Sequence, residues 1–226
     1  MAKRSFAVIG LGRFGSALAT TLAELGHEVI GVDSDEGRVR ALADVITFAV
    51  ELDATEEKAL LGAGIKSVDV AVVSIGENIE SSLLVVTLLR EIGIKDIIAK
   101  GVTPLHGRIL EKLGVARVVF PDRETAIRLA HGLVNPNVVD YIELSKEYSI
   151  VDIPAPVEFI GKSLKDIGLR ARFGVTTIAI KHYPPTGGGP VTNIAPGPDD
   201  VIEDGDVLSL LGSNERLGRI DQMLNG

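Results

Sequence analysis

Three glycines near the start of the chain have the spacing of a phosphate-binding loop. Gly10, Gly12 and Gly15 form a G-x-G-x-x-G motif, GLGRFG, between an apolar run and an amphipathic stretch. In such a loop the first glycine allows a tight turn and the second lets backbone N–H groups approach phosphate oxygens. The third lets a helix pack closely on the sheet, and the start of that helix attracts anions. The motif therefore predicts a nucleotide-binding site.

A carboxylate follows this loop at the distance that nucleotide sites of this kind have. Asp33 ends the second predicted strand, roughly 20 residues after the motif, where an acid accepts hydrogen bonds from the adenosine ribose. Its charge disfavours a 2′-phosphate, but NAD, ATP and ADP all carry a free adenosine ribose. The alternative interpretation is a structural glycine turn followed by an unrelated acid.

Arg13 lies inside the loop and bears on the choice among these ligands. A guanidinium group binds phosphate oxygens well, and free terminal phosphates need such a cation more than the bridging phosphates of a dinucleotide do. Arg13 therefore favours ATP or ADP, unless it is only a surface arginine. The neighbouring residues Phe14 and Ser34 are predicted to belong to the same site.

Other candidates follow the third and fourth predicted strands. Asp53 and Ala54 stand where an adenine would lie, although Asp53 is equally suited to cap a helix. Ser74, Ile75 and Gly76 follow the fourth strand, and Gly76 lets the backbone approach a ligand, or is simply a turn residue. The carboxyl ends of parallel strands meet at one edge of a sheet, so these segments are expected in the same crevice.

Asp122 follows the sixth predicted strand and is the candidate ligand for a divalent cation beside the phosphates. Acids at the start of a helix are also favoured by the helix dipole, which is the simpler explanation. The histidines lack metal-ligand spacing and are predicted to be surface or capping residues: His27, His106, His131 and His182. No catalytic arrangement of serine, histidine and carboxylate stands out, so the sequence favours binding over catalysis.

Composition and charge exclude several classes of function. The 226 residues carry a net charge of −8, which disfavours nucleic acid and anionic lipid as partners. The chain has no cysteine, which excludes disulfides, thiolate metal sites and cysteine catalysis and fits a reducing compartment. No signal peptide is visible, and the apolar run at residues 83–89 is far shorter than the ~20 residues that span a bilayer. The sequence predicts a soluble cytoplasmic protein.

The elements that position these residues alternate through the first 134 residues. Short Val- and Ile-rich runs alternate with helical patterns, giving six strands, five intervening helices and a further helix at residues 122–134. This alternation predicts an α/β fold with a Rossmann-like, doubly wound parallel sheet. The helix at residues 78–91 is apolar all round, which predicts a subunit interface or, alternatively, a larger contact within the chain.

The pattern changes after residue 148, where a second, smaller domain is predicted. Strands are expected at residues 150–153, 175–180, 201–202 and 207–211, with a short helix at 163–167. A flexible tip is predicted at 184–190 and an amphipathic stretch at 214–224. The predicted organisation is a nucleotide-binding domain at residues 1–135, a hinge at 136–148 and a small α+β domain at 149–226.

Several segments resemble the KtrA/TrkA proteins, which are the regulator of potassium conductance (RCK) subunits of bacterial potassium uptake systems. They include GLGRFG, HEVIGVD, DATEEKALLGAGI and VSIGENIESS, followed by GKSLKDIGLRARFGVTTIAI in the second domain. The resemblance covers nearly the whole chain, and GLGRFG with Arg13 is more similar to the KtrA type than to other TrkA-like sequences. It implies a Rossmann-like RCK_N domain followed by an RCK_C domain of the TrkA_C kind.

The resemblance also implies a function. Such proteins are regulatory subunits, not enzymes, and assemble as dimers in an octameric ring beneath a membrane potassium channel subunit of the KtrB or TrkH type. The chain is therefore expected at the inner face of the membrane. ATP and ADP compete for the RCK_N site, and ATP favours the active state. Alternatives are an NAD(H)-responsive regulator of the same type and an NAD-dependent oxidoreductase.

The family's functional residues carry over by position. The loop glycines fall on Gly10, Gly12 and Gly15, the ribose acid on Asp33 and the phosphate-binding arginine on Arg13. Mg²⁺ or Ca²⁺ between paired ATP sites would be bound at Asp122, where KtrA has a glutamate. Some members also bind cyclic di-AMP between paired RCK_C domains, for which the matching residues are Leu164, Leu169, Arg170 and Pro196. Lys165 and Thr176 depart from that second pattern.

Overall fold

The computed structural model describes residues 3–134, 139–183 and 189–224. The chain divides into two compact units, Met1–Asp122 and Arg123–Gly226. The two units are described one after the other. The predicted boundaries at residues 135 and 149 stay a prediction.

The described residues of the first unit form a six-stranded parallel sheet. The strand order is β3-β2-β1-β4-β5-β6, so the order reverses between β1 and β4. The predicted Rossmann-like sheet is confirmed. The strands are β1 (Ser5–Ile9), β2 (Glu28–Asp33), β3 (Phe48–Glu51), β4 (Val70–Val73), β5 (Asp96–Lys100) and β6 (Arg117–Val119).

Helices connect these strands, and several begin at a side-chain cap. Asp35, Asn78 and Thr103 accept hydrogen bonds from backbone N–H groups in the first turns of α2, α4 and α5, which fixes where these helices start. The last helix, α6, begins at the end of the first unit and continues into the second. The helices are α1 (Arg13–Glu24), α2 (Glu36–Leu42), α3 (Glu57–Gly62), α4 (Ile79–Ile92), α5 (Pro104–Lys112) and α6 (Pro121–Val134).

Helices cover both faces of the sheet, which explains the unbroken apolar strands. All four residues of β4, Val70–Val73, are buried, as expected for a parallel strand with helices on both sides. The apolar helix α4 contributes Val85, Val86 and Leu89 to this core, and Leu83 and Leu88 pack against it.

Most of the apolar surface of α4 is therefore used within the chain, in line with the alternative interpretation. Of the six apolar residues that led to the interface prediction, Leu84 is the most exposed, at 44%. The predicted subunit interface stays a prediction that now depends mainly on this residue.

The described part of the second unit contains a five-stranded antiparallel sheet of order β10-β9-β11-β8-β7. Phe159, Ile167, Leu208, Leu210 and Ile220 are among its buried core residues. The predicted α+β class is confirmed. The elements are β7 (Asp140–Glu143), β8 (Tyr148–Pro154), α7 (Leu164–Ile167), α8 (Leu169–Phe173), β9 (Thr176–His182), β10 (Val191–Ile194), β11 (Val207–Ser213) and α9 (Asn214–Leu224).

Several details of the second unit differ from the sequence-based expectation. Strands β7 and β10 and helix α8 were not predicted, and β7 lies inside the segment predicted to be a hinge. Both strands lie at edges of the sheet, and every residue of β10 is exposed, so no alternating apolar pattern reveals it. The strand predicted at 201–202 is wrong, since Val201 forms only an isolated bridge with Ser163.

Within the predicted flexible tip, residues 184–188 lie outside the described residues.

The length and polarity of the helices bear on membrane crossing. None of the helices in the described part of the chain is long and apolar enough to span a bilayer.

Candidate functional site

A cleft of about 980 Å³ lies at the carboxyl edge of the parallel sheet in the first unit. Because the strand order reverses between β1 and β4, the segments that follow these strands diverge and leave a crevice. Gly15 packs behind its wall, and the other predicted nucleotide-binding residues line it: Gly10, Gly12, Arg13, Phe14, Asp33, Ser34, Asp53, Ala54, Ser74, Ile75 and Gly76. Asp122 also lines this cleft.

The three glycines of the loop differ in what surrounds them. Gly10 has a φ of +93°, and a Cβ there would lie 3.1 Å from the carbonyl carbon of Ser74. A Cβ on Gly15 would lie 1.9 Å from the carbonyl oxygen of Gly10. At Gly12, by contrast, a Cβ would meet no atom within 4 Å among the described residues other than Gly12 itself and its chain neighbours. The first and third glycines thus serve the fold, and the second leaves open space in the cleft.

The amino end of helix α1 provides hydrogen-bond donors at this open space. Gly12 is its N-cap, and within the described residues no side chain caps it and no acid lies in its first turn. The first N–H groups of a helix have no partner inside the helix and carry partial positive charge. An anion such as a phosphate therefore fits the geometry and charge of this position.

Arg13, the first residue of α1, adds a full positive charge to these donors. Its side chain is exposed and lines the cleft. Within the described part of the chain, its guanidinium group forms no hydrogen bond or ion pair. It is thus free to bind a ligand, as the sequence predicts, although no contact in the structure tests this role.

Asp33 is held between the glycine loop and the next turn. It is only 8% exposed, its Oδ2 accepts a hydrogen bond of 2.6 Å from the Leu11 N–H, and its Oδ1 accepts one of 2.9 Å from the Asp35 N–H. Each carboxylate oxygen can accept a further hydrogen bond. The residue therefore anchors the loop and keeps capacity for the ribose hydroxyls that the sequence predicts as its partners.

Arg38 is a cleft residue that sequence reasoning missed. Its Nη1 lies 3.5 Å from Asp33 Oδ2, and its Nη2 lies 3.6 Å from Glu77 Oε1. The charge of Asp33, and to a smaller extent those of Glu77 and Asp35, raises the pKa of Arg38. Among the described residues, three carboxylates thus surround one guanidinium group, and the excess negative charge opposes a phosphate on the ribose.

Lys100 is the second cleft residue that was missed. It ends β5, and its Nζ lies 3.2 Å from Asp122 Oδ2. A Cβ added to Gly76 would lie 3.7 Å from the same Nζ. The rule that identified Ser74 and Asp53 also applies to Lys100, because it stands at the carboxyl end of a parallel strand. From the sequence, the fifth strand is expected at residues 95–99, which ends one residue before Lys100.

Asp53 forms a local turn rather than a helix cap. Its Oδ1 accepts hydrogen bonds from the Thr55 hydroxyl, at 2.6 Å, and from the Thr55 N–H, at 2.9 Å. These bonds lower the pKa of Asp53, since they favour its charged form. Helix α3 begins at Glu57 with Glu56 as its N-cap, so the alternative that Asp53 caps this helix is wrong.

The predicted cation site at Asp122 is incomplete within one chain. No group of three or more histidine, aspartate or glutamate residues in the described part of the chain could hold a metal ion. The neighbour that the structure gives Asp122 is a cation, Lys100. Phosphate oxygens would have to supply further ligands, and the cation stays a prediction.

The residues predicted to bind a second effector lie in the second unit. Arg170 is exposed on α8, and Leu164 and Pro196 are partly buried. Leu169 is buried in the core of this unit, and its role in ligand binding stays a prediction. The sequence could not distinguish the two leucines, because both lie in short helices near the same core.

The described histidine side chains have separate structural roles. His27 Nδ1 accepts a hydrogen bond from the Arg4 N–H, and His182 Nδ1 lies 2.9 Å from Asp206 Oδ1. His106 is buried, so the surface alternative of its prediction is wrong, but its Nδ1 accepts a hydrogen bond from the Val102 N–H, just before the start of α5, which fits the capping alternative. The side chain of His131 lies outside the described residues.

Alanine substitutions at two loop glycines should show which glycine the fold requires and which one only borders open space in the cleft. Gly15→Ala should lower the free energy of unfolding by at least about 2 kcal/mol, because its Cβ would overlap the Gly10 carbonyl oxygen. Gly12→Ala, the matched control, should cost less than about 1 kcal/mol. Urea unfolding followed by circular dichroism measures both. Equal losses would contradict this assignment.

The burial of His106 predicts that the protein loses stability in acid. Burial lowers the pKa of His106, so below the ordinary histidine pKa of about 6.5 the unfolded chain binds the proton more readily than the folded chain. The free energy of unfolding should therefore fall with decreasing pH, by up to about 1.4 kcal/mol per pH unit from this residue. Denaturant unfolding at several pH values should show a smaller slope for His106→Gln, and identical slopes would oppose the prediction.

Comparison with known proteins agrees with this architecture. Residues 6–121 match the TrkA-N domain family and residues 148–225 match the TrkA-C domain family. The chain is similar to Ktr system potassium uptake protein A of Bacillus subtilis (strain 168), with 39% identity over 218 residues and 96% of each chain covered. It is also similar to protein C of the same system and organism, with 38% identity over 220 residues and 97% of each chain covered.

A solved structure titled as the GsuK channel bound to NAD shares the fold. It has a TM-score of 0.63 and 18% identity over 100% of this chain, which spans 40% of the channel chain. The two matched domains and the near full-length relatives lead to one conclusion. This chain belongs to the Ktr and TrkA family of potassium uptake proteins, with a TrkA-N domain followed by a TrkA-C domain.

Proposed function

We propose that this protein is the regulatory subunit of a potassium uptake system and that it responds to the adenine nucleotide bound in its first unit. The observation that carries this proposal is the cleft at the sheet edge, where Gly12 leaves open space in front of the uncapped start of α1. Family membership supports the link to potassium uptake. The arrangement of the ionisable side chains that line the cleft suits the binding of anions and discrimination between them.

The proposed ligands are ATP and ADP. The cleft has acids at its ribose end, around Asp33, and cations at its phosphate end, where Arg13 and Lys100 both line the wall. Backbone N–H groups alone can satisfy bridging phosphates. Two additional cations suit a ligand with free terminal phosphates, which carries more negative charge than a dinucleotide.

Regulation requires that the ligand bind two states of the protein with different affinity. ATP and ADP differ by one phosphate group, so their different effects must arise where that phosphate is bound. Arg13, at the first turn of α1, is the proposed source of this difference. The output is a change of shape transmitted to a partner, and no bond in the nucleotide needs to break.

We further propose that the subunit forms dimers that assemble into an octameric ring. The ring would dock at the inner face of the membrane on a potassium channel subunit of the KtrB or TrkH type. Support for this part of the proposal comes from the relatives, which are potassium uptake proteins over nearly the whole length of this chain. Co-purification with such a membrane subunit tests the partner.

An NAD(H)-responsive regulator is the second candidate, because the GsuK channel structure of similar fold is titled as bound to NAD. A thermal-shift comparison of ATP, ADP, NAD and NADH separates the two, since a ligand that binds the folded state raises the melting temperature. ATP and ADP should each raise it more than either dinucleotide at equal concentration. A larger rise with NAD or NADH would favour the second candidate, and no rise with any ligand would reject both.

Replacing Arg13 should remove discrimination between ATP and ADP while nucleotide binding is retained. Arg13→Ala loses a charged hydrogen-bond donor, and such bonds contribute about 1.5–3 kcal/mol, so the ratio of the two dissociation constants should change at least roughly tenfold by calorimetry. Arg40→Ala is the matched control, because Arg40 pairs with Glu36 on the exposed side of α2. An unchanged ratio in Arg13→Ala would remove Arg13 from this role.

A further inference from the structure

We infer that Lys100 and Asp122 form an exchangeable ion pair, in which Lys100 leaves Asp122 to bind a terminal phosphate of the nucleotide. Lys100 thereby becomes a residue that determines phosphate specificity, together with the acid that competes for it. This inference rests on the proposed nucleotide function of the cleft. It deepens that function by naming how phosphate binding is linked to the start of helix α6.

The two partners differ in how firmly the chain holds them. The side chain of Lys100 is 19% exposed and extends from the carboxyl end of β5, next to the edge strand β6, while that of Asp122 is 90% exposed. Lys100 Nζ also lies beside Gly76, which follows β4 and lines the cleft. The ammonium group thus lies at the cleft wall, within reach of a ligand, whereas the carboxylate reaches it from the solvent side.

The energies of the two possible contacts favour exchange. An ion pair with a solvent-exposed partner contributes little to stability, so the contact with Asp122 is easily replaced. A terminal phosphate carries more charge than a carboxylate and offers three oxygens as acceptors. It also enters a cleft where α1 and Arg13 already attract anions. Lys100 is therefore expected to bind the phosphate more strongly than it binds Asp122.

The position of Asp122 gives this exchange a structural consequence. Asp122 is the second residue of α6 and the last residue of the first unit, and the chain enters the second unit at Arg123. When Lys100 turns to a phosphate, the start of α6 loses its ion pair with the sheet. A nucleotide without terminal phosphates leaves the pair intact. The number of phosphates on the nucleotide therefore decides whether the start of α6 keeps this ion pair, at the point where the chain leaves the first unit.

The test is the affinity of the full-length chain for ATP and AMP, measured by calorimetry in buffer with EDTA. Asp122→Asn removes the competitor while retaining shape, so the ratio of AMP to ATP dissociation constants should rise about three- to tenfold in favour of ATP. In Lys100→Met, adding Asp122→Asn should leave the ratio unchanged, because the ammonium group is absent. Asp96→Asn is the control for removing an acid from an exposed ion pair outside the cleft, since Asp96 pairs with Arg4, and its ratio should stay that of the wild type.

Results of three kinds would overturn the inference. An unchanged ratio in Asp122→Asn, or the same rise in the Lys100→Met background, would show that Lys100 does not exchange partners. Weaker ATP binding by Asp122→Asn in Mg²⁺ but not in EDTA, without the rise, would make Asp122 a cation ligand instead. Failure of the wild type to bind either nucleotide would reject the proposed function itself, which distinguishes that failure from the other two.

Discussion

The site depends on one close approach, between the turn after β1 and the first turn of α1. Only a hydrogen atom fits between Gly15 and the carbonyl oxygen of Gly10, and the turn at Gly10 itself requires a left-handed backbone beside Ser74. This contact fixes the amino end of α1 against the sheet edge. Asp33 holds the turn from the other side through the Leu11 N–H. The anion-binding end of the helix is thus positioned by packing and by one buried carboxylate, before any ligand arrives.

The distribution of charge along the cleft follows from which strand ends meet there. Acids after β2 and β4 gather around Arg38 at one end, and Arg13 and Lys100 line the other part of the wall. A nucleotide has the complementary polarity, with hydroxyl donors on its ribose and negative charge on its phosphates. In the proposed function, binding strength and phosphate discrimination therefore have different physical sources in the same cleft, and each is expected to change without the other.

Sequence patterns identified elements well where burial imposes a regular spacing. The β4 run predicted a strand because both faces of a parallel sheet are covered, whereas β10 was missed because it is an exposed edge strand. The apolar surface of α4 was assigned first to another subunit, but the core of its own chain takes most of it. A helical wheel shows how much of a helix is apolar and cannot show which neighbour covers it.

The sequence by itself determined the fold class and the glycine loop with its distant acid, since turn, helix start and strand end are local requirements of particular residue types. Tertiary structure decided that Arg38 reaches both Asp33 and Glu77 and that Lys100 meets Asp122 across the sheet edge. It also decided that Leu169 belongs to the core of its unit and not to a surface. The Arg38–Glu77 and Lys100–Asp122 pairs join residues from different strand ends and the segments after them, so they exist only once the order of the strands has brought those ends together.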